Sequence, residues 1–361
     1  MVRDDLLSVQ VLRAIAALAV CAVHFSDMNL MLTGHSGEPI PLYPLAAGVD
    51  LFFVISGFIM VYSSERLFGR PGARSEFWVR RIARIAPLYW VATVVAIWAM
   101  DRPYDAVSLI KSYLFIPYFG PNDSLQPLYG VGWTLNYEMF FYALFGVAIM
   151  LRRQLAVAVV TIALAGAIAI GRIWPSSNAL LIVWTDPIVI EFAFGMAIAM
   201  AYRHGVRFPR WLGGLLCLGG AIAVWHGVPR SPPSGVRWLE CGVPVALIFA
   251  GLALQPPLKF PLSRWMAALG DASYSMYLIH SLVIAAIIRV PHLGHFAPLA
   301  LPVTVALSLL VYRLFERPVT KALQNLYSKR FGRQTGASES PGANADEGAS
   351  FPLTAAPLKF G

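Results

Sequence analysis

Repeated apolar segments constrain this chain more than any other feature of its sequence. The first covers residues 6–25 and is almost entirely apolar. About 20 residues of helix cross the hydrocarbon core of a bilayer, where only helices and closed barrels satisfy the backbone. The pattern predicts an all-α, polytopic integral membrane protein with about ten transmembrane helices. The other nine segments are 47–62, 83–100, 132–150, 155–171, 180–201, 211–226, 239–255, 272–289 and 298–315.

Composition agrees with this prediction. Hydrophobic residues make up 58% of the 361 residues and charged residues only 13%, whereas soluble domains carry about 25% charged residues. The net charge of +9 does not indicate a nucleic-acid partner, because the positive residues fall in alternate loops. Cys21, Cys217 and Cys241 lie in or beside apolar segments, so we expect small buried side chains. Their spacing suits neither a metal site nor a disulfide framework.

Loop charges predict the orientation. With the N-terminus in the cytoplasm, inside loops carry twenty Lys and Arg residues and outside loops carry six. This positive-inside bias predicts an even number of spans and two cytoplasmic termini. Residues 1–320 form the predicted transmembrane domain, and residues 334–361, rich in Gly, Ser, Ala and Pro, form a predicted disordered cytoplasmic tail. The short apolar stretch 107–119 favours an interfacial or re-entrant helix.

Arg13 and His24 are polar residues inside the first apolar segment. Residues eleven positions apart on a helix are separated by three turns plus roughly 20°, so they share one face about 16 Å apart along the axis. Polar residues at membrane depth are costly and indicate function. The orientation puts Arg13 in the inner half of the membrane and His24 near the outer surface. The alternative for His24 is an interfacial anchor.

Two acidic residues are expected near His24. Asp50 begins the second span at its outer end, and Glu138 lies about two turns into the fourth span from the outside. A carboxylate partner orients an imidazole and stabilises its cation. We therefore predict a catalytic group of His24, Asp50 and Glu138. Alternatively, Asp50 caps its helix and Glu138 makes a buried polar contact.

An arginine cluster precedes the third span. Arg80 and Arg84 are four residues apart and Arg81 and Arg84 are three apart, spacings that share a helix face. Cations at a helix start oppose the helix dipole. A ligand with several phosphates would explain them, because arginine binds phosphate bidentately. The alternative is anchoring to lipid headgroups.

The ninth segment carries further polar residues. Ser273, Tyr277 and His280 recur at about one-turn spacing, and His280 falls near mid-membrane. On its own, a histidine at such a position is more often a packed, hydrogen-bonded residue than a catalyst. Glu316 ends the last span and is expected to pair with an inner-side arginine in a structural role. Glu191 in the sixth span has no role that the sequence assigns.

Six runs in this order resemble the membrane acyltransferase-3 family. Each run is weak alone, but together they cover residues 6 to 318. The subset they resemble most is the exopolysaccharide O-acetyltransferases of bacteria. The runs are 12–17 with His24, 48–58, 77–89, 133–138 with Phe141 and Tyr142, 270–280 and 316–318.

The resemblance implies transfer of an acyl group, usually acetyl, from cytoplasmic acyl-CoA to a carbohydrate hydroxyl. It implies essential roles for Arg13 and His24 and a donor-handling role for Arg81 and Arg84, with 1–320 as the acyltransferase domain. Acetyl-CoA is then a substrate, and no bound cofactor or metal is expected. The expected partners are acyl-CoA, a lipid-linked or polymeric carbohydrate and membrane lipids, and the expected location is the bacterial cytoplasmic (inner) membrane.

The residues suggest a mechanism. Arg80, Arg81 and Arg84 would hold the donor phosphates, Arg13 would steady the donor arm, and His24 would take the acceptor proton or itself become acylated. A transporter or flippase for a lipid-linked sugar remains open, as does an acyltransferase with a lipid or peptide acceptor. The predicted aromatic acceptor or tunnel residues are Trp133, Tyr137 and Tyr274, and the candidate oxyanion donors are Ser56, Tyr277 and His280.

Overall fold

A computed structural model describes residues 7–33, 42–100, 104–120, 123–227, 235–256, 262–290 and 299–335. Every regular element within these ranges is helical, which confirms the predicted all-α class. The α-helices are α1 (Leu7–Thr33), α2 (Gly48–Ser63), α3 (Ala73–Met100), α4 (Ala106–Tyr113), α5 (Trp133–Ala148), α6 (Arg153–Ile173), α7 (Ala179–Trp184), α8 (Ile190–Arg203), α9 (Arg210–Gly227), α10 (Val243–Ala253), α11 (Ser263–Asp271), α12 (Ser273–Arg289), α13 (Ala300–Val311) and α14 (Arg317–Thr335).

Each of the ten predicted apolar segments contains helix, but the segment 180–201 is divided between α7 and α8, and not all the helices are long. Five segments of the described residues, given at the end of this paragraph, are long and apolar enough to cross a membrane. A sixth arises if α11 and α12, which meet at a 70° bend, form one span. The chain is thus a multi-pass membrane protein, while a total of ten spans stays a prediction. Among the described residues, the segments long and apolar enough to cross a membrane are Leu7–Asn29, Tyr43–Ser63, Ala73–Ala99, Arg153–Ile173 and Ala179–Arg203.

Several shorter predictions can be placed on these helices. The stretch 107–119 contains only α4, whose eight residues are too few to span a bilayer. Cys21 and Cys241 are buried and Cys217 is half-buried, as expected of small apolar side chains. The predicted tail begins in the last two residues of α14, and its remaining residues, 336–361, lie outside the described part of the chain.

Helix α1 packs closely against the break between α11 and α12. A Cβ atom added at Gly270 would lie 2.0 Å from the Gln10 carbonyl oxygen, so the two backbones are in contact there. One residue beyond α11 the chain turns by 70° into α12. This turn brings Ser273, the first residue of α12, to the Arg13 side of α1.

Glycine also permits the contact between α2 and α8. A Cβ at Gly57 would stand 2.0 Å from the Phe192 carbonyl oxygen, and one at Gly195 would stand 1.9 Å from the Val54 carbonyl oxygen. Atoms cannot approach so closely, so only glycine fits at either position. The rest of the α2 surface is largely buried, which places this helix at the centre of the bundle.

Aromatic rings fill the space around α2 and α8. Phe192 stacks on Phe141 of α5 at 4.3 Å between ring centroids and lies 4.9 Å from Phe53 of α2. Phe58 of α2 meets Phe249 of α10 edge to face at 5.1 Å. Such pairs contribute beyond the area they bury. They join α2, α5, α8 and α10 into one apolar core.

Gly57→Ala is expected to destabilise the protein by about 1–3 kcal/mol, the usual cost of overpacking a core, because the added methyl would collide with α8. Gly166→Ala in α6 is the matched control, since nothing lies within 4 Å of a Cβ there. Thermal unfolding in detergent measures both variants. Equal unfolding temperatures for Gly57→Ala and the unmodified protein would contradict the close α2–α8 contact.

Candidate active site

A cavity of about 120 Å³ lies among α1, α2, α3, α5 and α12. Five separated parts of the sequence contribute to it, and about half of the polar residues that the sequence singled out line it. Apolar side chains of α2, including Phe52 and Phe53, form much of the remaining wall. The polar lining residues are Arg13, Ser56, Arg81, Arg84, Thr134, Glu138, Tyr142, Ser273, Tyr274 and Tyr277.

Arg13 is held at the cavity by side chains from α1 and from the α11–α12 break. Its Nη2 donates to Ser273 Oγ at 2.9 Å, and its Nη1 donates to Gln10 Oε1 at 3.3 Å. Gln10 Nε2 in turn donates to Asp271 Oδ1 at 2.7 Å. A guanidinium inside a helix bundle needs acceptors and a nearby anion, and this network supplies both.

The three arginines at the start of α3 separate into two groups. Arg81 and Arg84 line the cavity, whereas Arg80 forms an ion pair with Glu76, one turn earlier on α3, and is not among the cavity residues. Of the three predicted donor-binding residues of α3, the structure thus brings two together with Arg13.

Arg81 has an unused hydrogen-bond donor. Its guanidinium lies 6.0 Å from the centre of the Phe77 ring. Its Nε is buried, and no hydrogen-bond acceptor for it exists in the described part of the chain. A buried donor without a partner carries a desolvation cost of about 1–3 kcal/mol. An anionic ligand in the cavity would supply the missing acceptor.

Glu138 is the acidic residue of the cavity wall. Its Oε1 accepts hydrogen bonds from Ser56 Oγ at 2.9 Å and from the hydroxyl of Tyr142. The Ser56 bond links α2 to α5, whereas the Tyr142 bond lies within α5. Glu138 thus makes a polar contact with a neighbouring helix, which was the alternative to a catalytic role.

The structure shows Asp50 and Glu138 bonded to partners other than His24. Asp50 is fully buried and receives two hydrogen bonds from Arg237, Nε to Oδ1 at 2.9 Å and Nη2 to Oδ2 at 2.5 Å. This fork geometry is the strongest arginine–carboxylate arrangement. Both carboxylates are thus occupied by other partners, and no hydrogen bond or ion pair between them and His24 occurs in the described ranges.

Asp50 does not cap its helix either. It occupies the third position of α2, whose N-cap residue Ala47 has no side-chain cap. Glu191, also fully buried, lies against Gly242 so closely that a Cβ there would be 2.6 Å from Glu191 Oε1. The charges of Asp50 and Glu191 both act on Arg237, and none of these three residues lines the cavity, so they form a separate buried charge cluster.

His24 has a histidine neighbour. Its ring centroid is 5.2 Å from that of His280, and the two planes differ by 24°. His24 is exposed, whereas His280 is fully buried. His280 Nδ1 lies 3.3 Å from the Met276 carbonyl oxygen. The Tyr277 ring is 5.8 Å from His280 and also lines the cavity, so His280 stands between the cavity and His24.

Of the predicted aromatic site residues, Tyr274 and Tyr277 line the cavity, whereas Trp133 and Tyr137 do not. The Tyr274 hydroxyl donates to the Ile85 carbonyl at 2.8 Å and the Tyr277 hydroxyl to the Val131 carbonyl at 3.0 Å, which turns both rings toward the cavity. Trp133 and Tyr137 form an edge-to-face pair at 5.7 Å and are not cavity residues. The Tyr137 hydroxyl points to Asp186 Oδ2 at 3.3 Å.

Glu316, which lies just before α14, is buried. Its Oε2 accepts a hydrogen bond from Ser275 Oγ at 2.5 Å, and Arg84 is the cation that acts on it most strongly. No ion pair within 4.0 Å joins Glu316 to an arginine in the described ranges, so its expected pairing with an inner-side arginine stays a prediction.

Sequence reasoning missed several contributors to the site. Gln10 and Tyr142 carried a usable signal, since each lies one helical turn from a predicted residue, Arg13 and Glu138 respectively. Arg237 carried none, because 187 positions separate it from Asp50. Thr134 also escaped notice, although its hydroxyl lies 3.0 Å from that of Tyr277.

Comparison with known proteins identifies the family. The acyltransferase-3 model, described as an acyltransferase domain, matches residues 6–313. Exopolysaccharide production protein ExoZ of Rhizobium meliloti is 32% identical over 76% of this chain and 90% of its own length. Acyltransferase MdmB of Streptomyces mycarofaciens is 27% identical over 76% and 77%. Nodulation protein 10 of Rhizobium leguminosarum is 26% identical over 86% and 93%.

No solved structure matches the chain. The family match nevertheless includes every residue of the cavity, from Arg13 to Tyr277, together with His24 and His280. The resemblance drawn from six short runs is thereby confirmed. This multi-pass membrane protein belongs to the acyltransferase-3 family and is an acyltransferase.

Proposed function

We propose that this protein is a membrane O-acyltransferase that moves an acetyl group from cytoplasmic acyl-CoA to a hydroxyl of an exopolysaccharide or other cell-surface carbohydrate. The observation that carries the proposal is the single cavity lined by Arg13, Arg81 and Arg84. Exopolysaccharide appears in the printed description of ExoZ, which supports a polysaccharide acceptor. The carbohydrate is lipid-linked or polymeric.

The cavity suits an anionic donor. It holds three guanidinium groups against one carboxylate, Glu138, and that carboxylate already accepts two hydrogen bonds. Arginine matches phosphate with paired N–H donors. In the proposed complex, Arg81 and Arg84 bind donor phosphates, and acetyl-CoA is a substrate rather than a resident cofactor. Arg80 is peripheral because Glu76 already neutralises it.

The orientation predicted from the loop charges gives the donor and the acceptor opposite sides of the membrane. Positive-inside loops put both termini in the cytoplasm and the start of α3, with its arginines, on the side where acyl-CoA is made. His24 then stands toward the outer face, about 16 Å further along α1 than Arg13. The donor arm reaches along this face, past Tyr277, toward His24. The membrane is the bacterial inner membrane, with its lipids around about ten spans.

The proposed reaction balances without any further reagent. His24 takes the proton of the acceptor hydroxyl as that oxygen attacks the thioester carbonyl carbon. A carbon–oxygen bond forms, the carbon–sulfur bond breaks, and the proton finally joins the CoA thiolate. Because His24 is exposed, a bulky acceptor can approach it. An acyl-histidine intermediate is the second route, and trapping of labelled acetyl on His24 distinguishes the two.

His24→Ala and Arg13→Ala are each expected to abolish O-acetylation of the surface polysaccharide, since they remove the base and the cavity cation. Mass spectrometry of polysaccharide from a complemented deletion strain measures the modification. His226→Ala is the control, an exposed histidine near the end of α9. Retained acetylation in His24→Ala would refute the catalytic assignment, and a change in export without a change in acetylation would favour a transporter.

Arg81→Ala and Arg84→Ala are expected to raise the KM for acetyl-CoA about 10- to 100-fold, because each loses charged hydrogen bonds of about 1.5–3 kcal/mol. Arg80→Ala is the matched comparison on the same helix and should change this KM by less than about threefold. Steady-state kinetics in purified membranes measure all three. A larger effect of Arg80→Ala than of Arg81→Ala would contradict the cavity as the donor site.

Arg237→Met is expected to reduce the amount of folded protein strongly, since it leaves the Asp50 carboxylate buried without a cation, at about 3–5 kcal/mol. Adding Asp50→Asn removes that charge and should recover much of the loss. Detergent-extracted protein measured by size-exclusion chromatography compares the two. Normal accumulation of Arg237→Met with lost acetylation would instead favour a catalytic role for this pair.

A further inference from the structure

We propose that His280 is a positioning residue whose Nε2 accepts a hydrogen bond from His24 and so orients the His24 imidazole toward the acceptor hydroxyl. The proposal rests on the proposed function, in which His24 is the base. It gives His280 the role that the sequence assigned to Asp50 and Glu138. An imidazole replaces the expected carboxylate.

The state of the His280 ring follows from its surroundings. The side chain is fully buried, where a charged ring would be costly without an anion. Its Nδ1 lies 3.3 Å from the Met276 carbonyl oxygen. A carbonyl only accepts hydrogen bonds, so Nδ1 carries the hydrogen and Nε2 carries the lone pair. His280 therefore presents an acceptor nitrogen.

That acceptor has no donor in the described part of the chain. His280 Nε2 is buried without a hydrogen-bond partner, and the cost of such an atom calls for an explanation. The neighbouring imidazole is His24, with ring centroids 5.2 Å apart and nearly parallel planes. Because His24 is exposed, its ring can turn about its side-chain torsions and bring an N–H to Nε2.

The proposed reaction requires a hydrogen-bond acceptor beside the His24 ring. When His24 takes the acceptor proton it becomes an imidazolium with two N–H groups. One faces the acceptor, and the other, once the ring turns toward α12, meets the buried Nε2 of His280 as its hydrogen-bond acceptor. Glu138 is bonded to Ser56 and Tyr142, and Asp50 is bonded to Arg237. Asp27, one turn later on α1, acts on His24 through its charge, but no hydrogen bond or ion pair joins the two in the described part of the chain. His280 is the polar group whose ring contacts the His24 ring.

Helix α12 holds His280 in a fixed position beside His24. Tyr277 lies one turn earlier on the same helix, and its hydroxyl is fixed by the Val131 carbonyl at 3.0 Å and by Thr134. The same helix thus carries a cavity wall and the support for His24. Groups that are held by packed neighbours on a helix position a catalytic residue more accurately than groups on loops.

A matched pair of substitutions tests the role of Nε2. His280→Gln places an amide oxygen, an acceptor, near the position of Nε2, whereas His280→Phe keeps a ring without nitrogen. His280→Phe is expected to lower kcat about 100-fold, the scale of lost general-base catalysis, with the KM for acetyl-CoA unchanged. His280→Gln should keep kcat within about tenfold of the unmodified enzyme. Acetyl transfer in purified membranes gives both constants.

The outcomes separate the inference from the function on which it rests. Wild-type kcat in His280→Phe overturns the positioning role, and so does an equal loss in the Phe and Gln variants at equal amounts of folded protein. If His280→Phe does not fold, His280→Met serves as the second variant without a nitrogen and carries the same expectation. Absence of acetyl transfer by the unmodified protein would instead overturn the proposed function itself.

Discussion

A guanidinium group enclosed by apolar helices must find acceptors and a counter-charge, and the cavity is organised by this requirement. Arg13 meets it through Ser273, Gln10 and, beyond Gln10, Asp271. These partners are in reach only because α11 lies against α1 at Gly270 and the chain then bends by 70° into α12. The break in the helix and the buried cation are therefore one feature, since each explains the position of the other.

Buried charge occurs in two places with opposite balance. Among the residues that line the cavity, Arg13, Arg81 and Arg84 outnumber Glu138, while Asp271 and Glu316 lie behind this lining. The surface that a ligand would meet is therefore positive and suits an anion. Around Arg237, one guanidinium faces the carboxyl groups of Asp50 and Glu191, so no cation is left to bind a ligand. Similar residues thus line a cavity in one place, where we propose that they bind the donor, and form a closed cluster against α2 in the other. The ratio of cations to anions distinguishes these two groups of residues better than their depth in the membrane does.

Helical periodicity and residue spacing predicted a large part of this structure. They placed the helices, the shared face of Arg13 and His24, and the arginines of α3, because those patterns are local. They failed where a partner is distant in sequence, as with Arg237 for Asp50 and His280 for His24. They also failed between adjacent residues, since 100° of helical rotation separates Arg80, on the surface with Glu76, from Arg81 in the cavity. Only packing determines which neighbour faces inward.

The glycine contacts between α2 and α8 have a mechanical consequence. At Gly57 and Gly195 the two backbones touch, so α2 cannot move toward α8, and moving away would open a void beneath the aromatic core. The cavity wall that α2 provides is therefore restrained from behind by α8. Adjustment of the cavity to the proposed donor would then come from the other helices that line it, α1, α3, α5 and α12, rather than from α2.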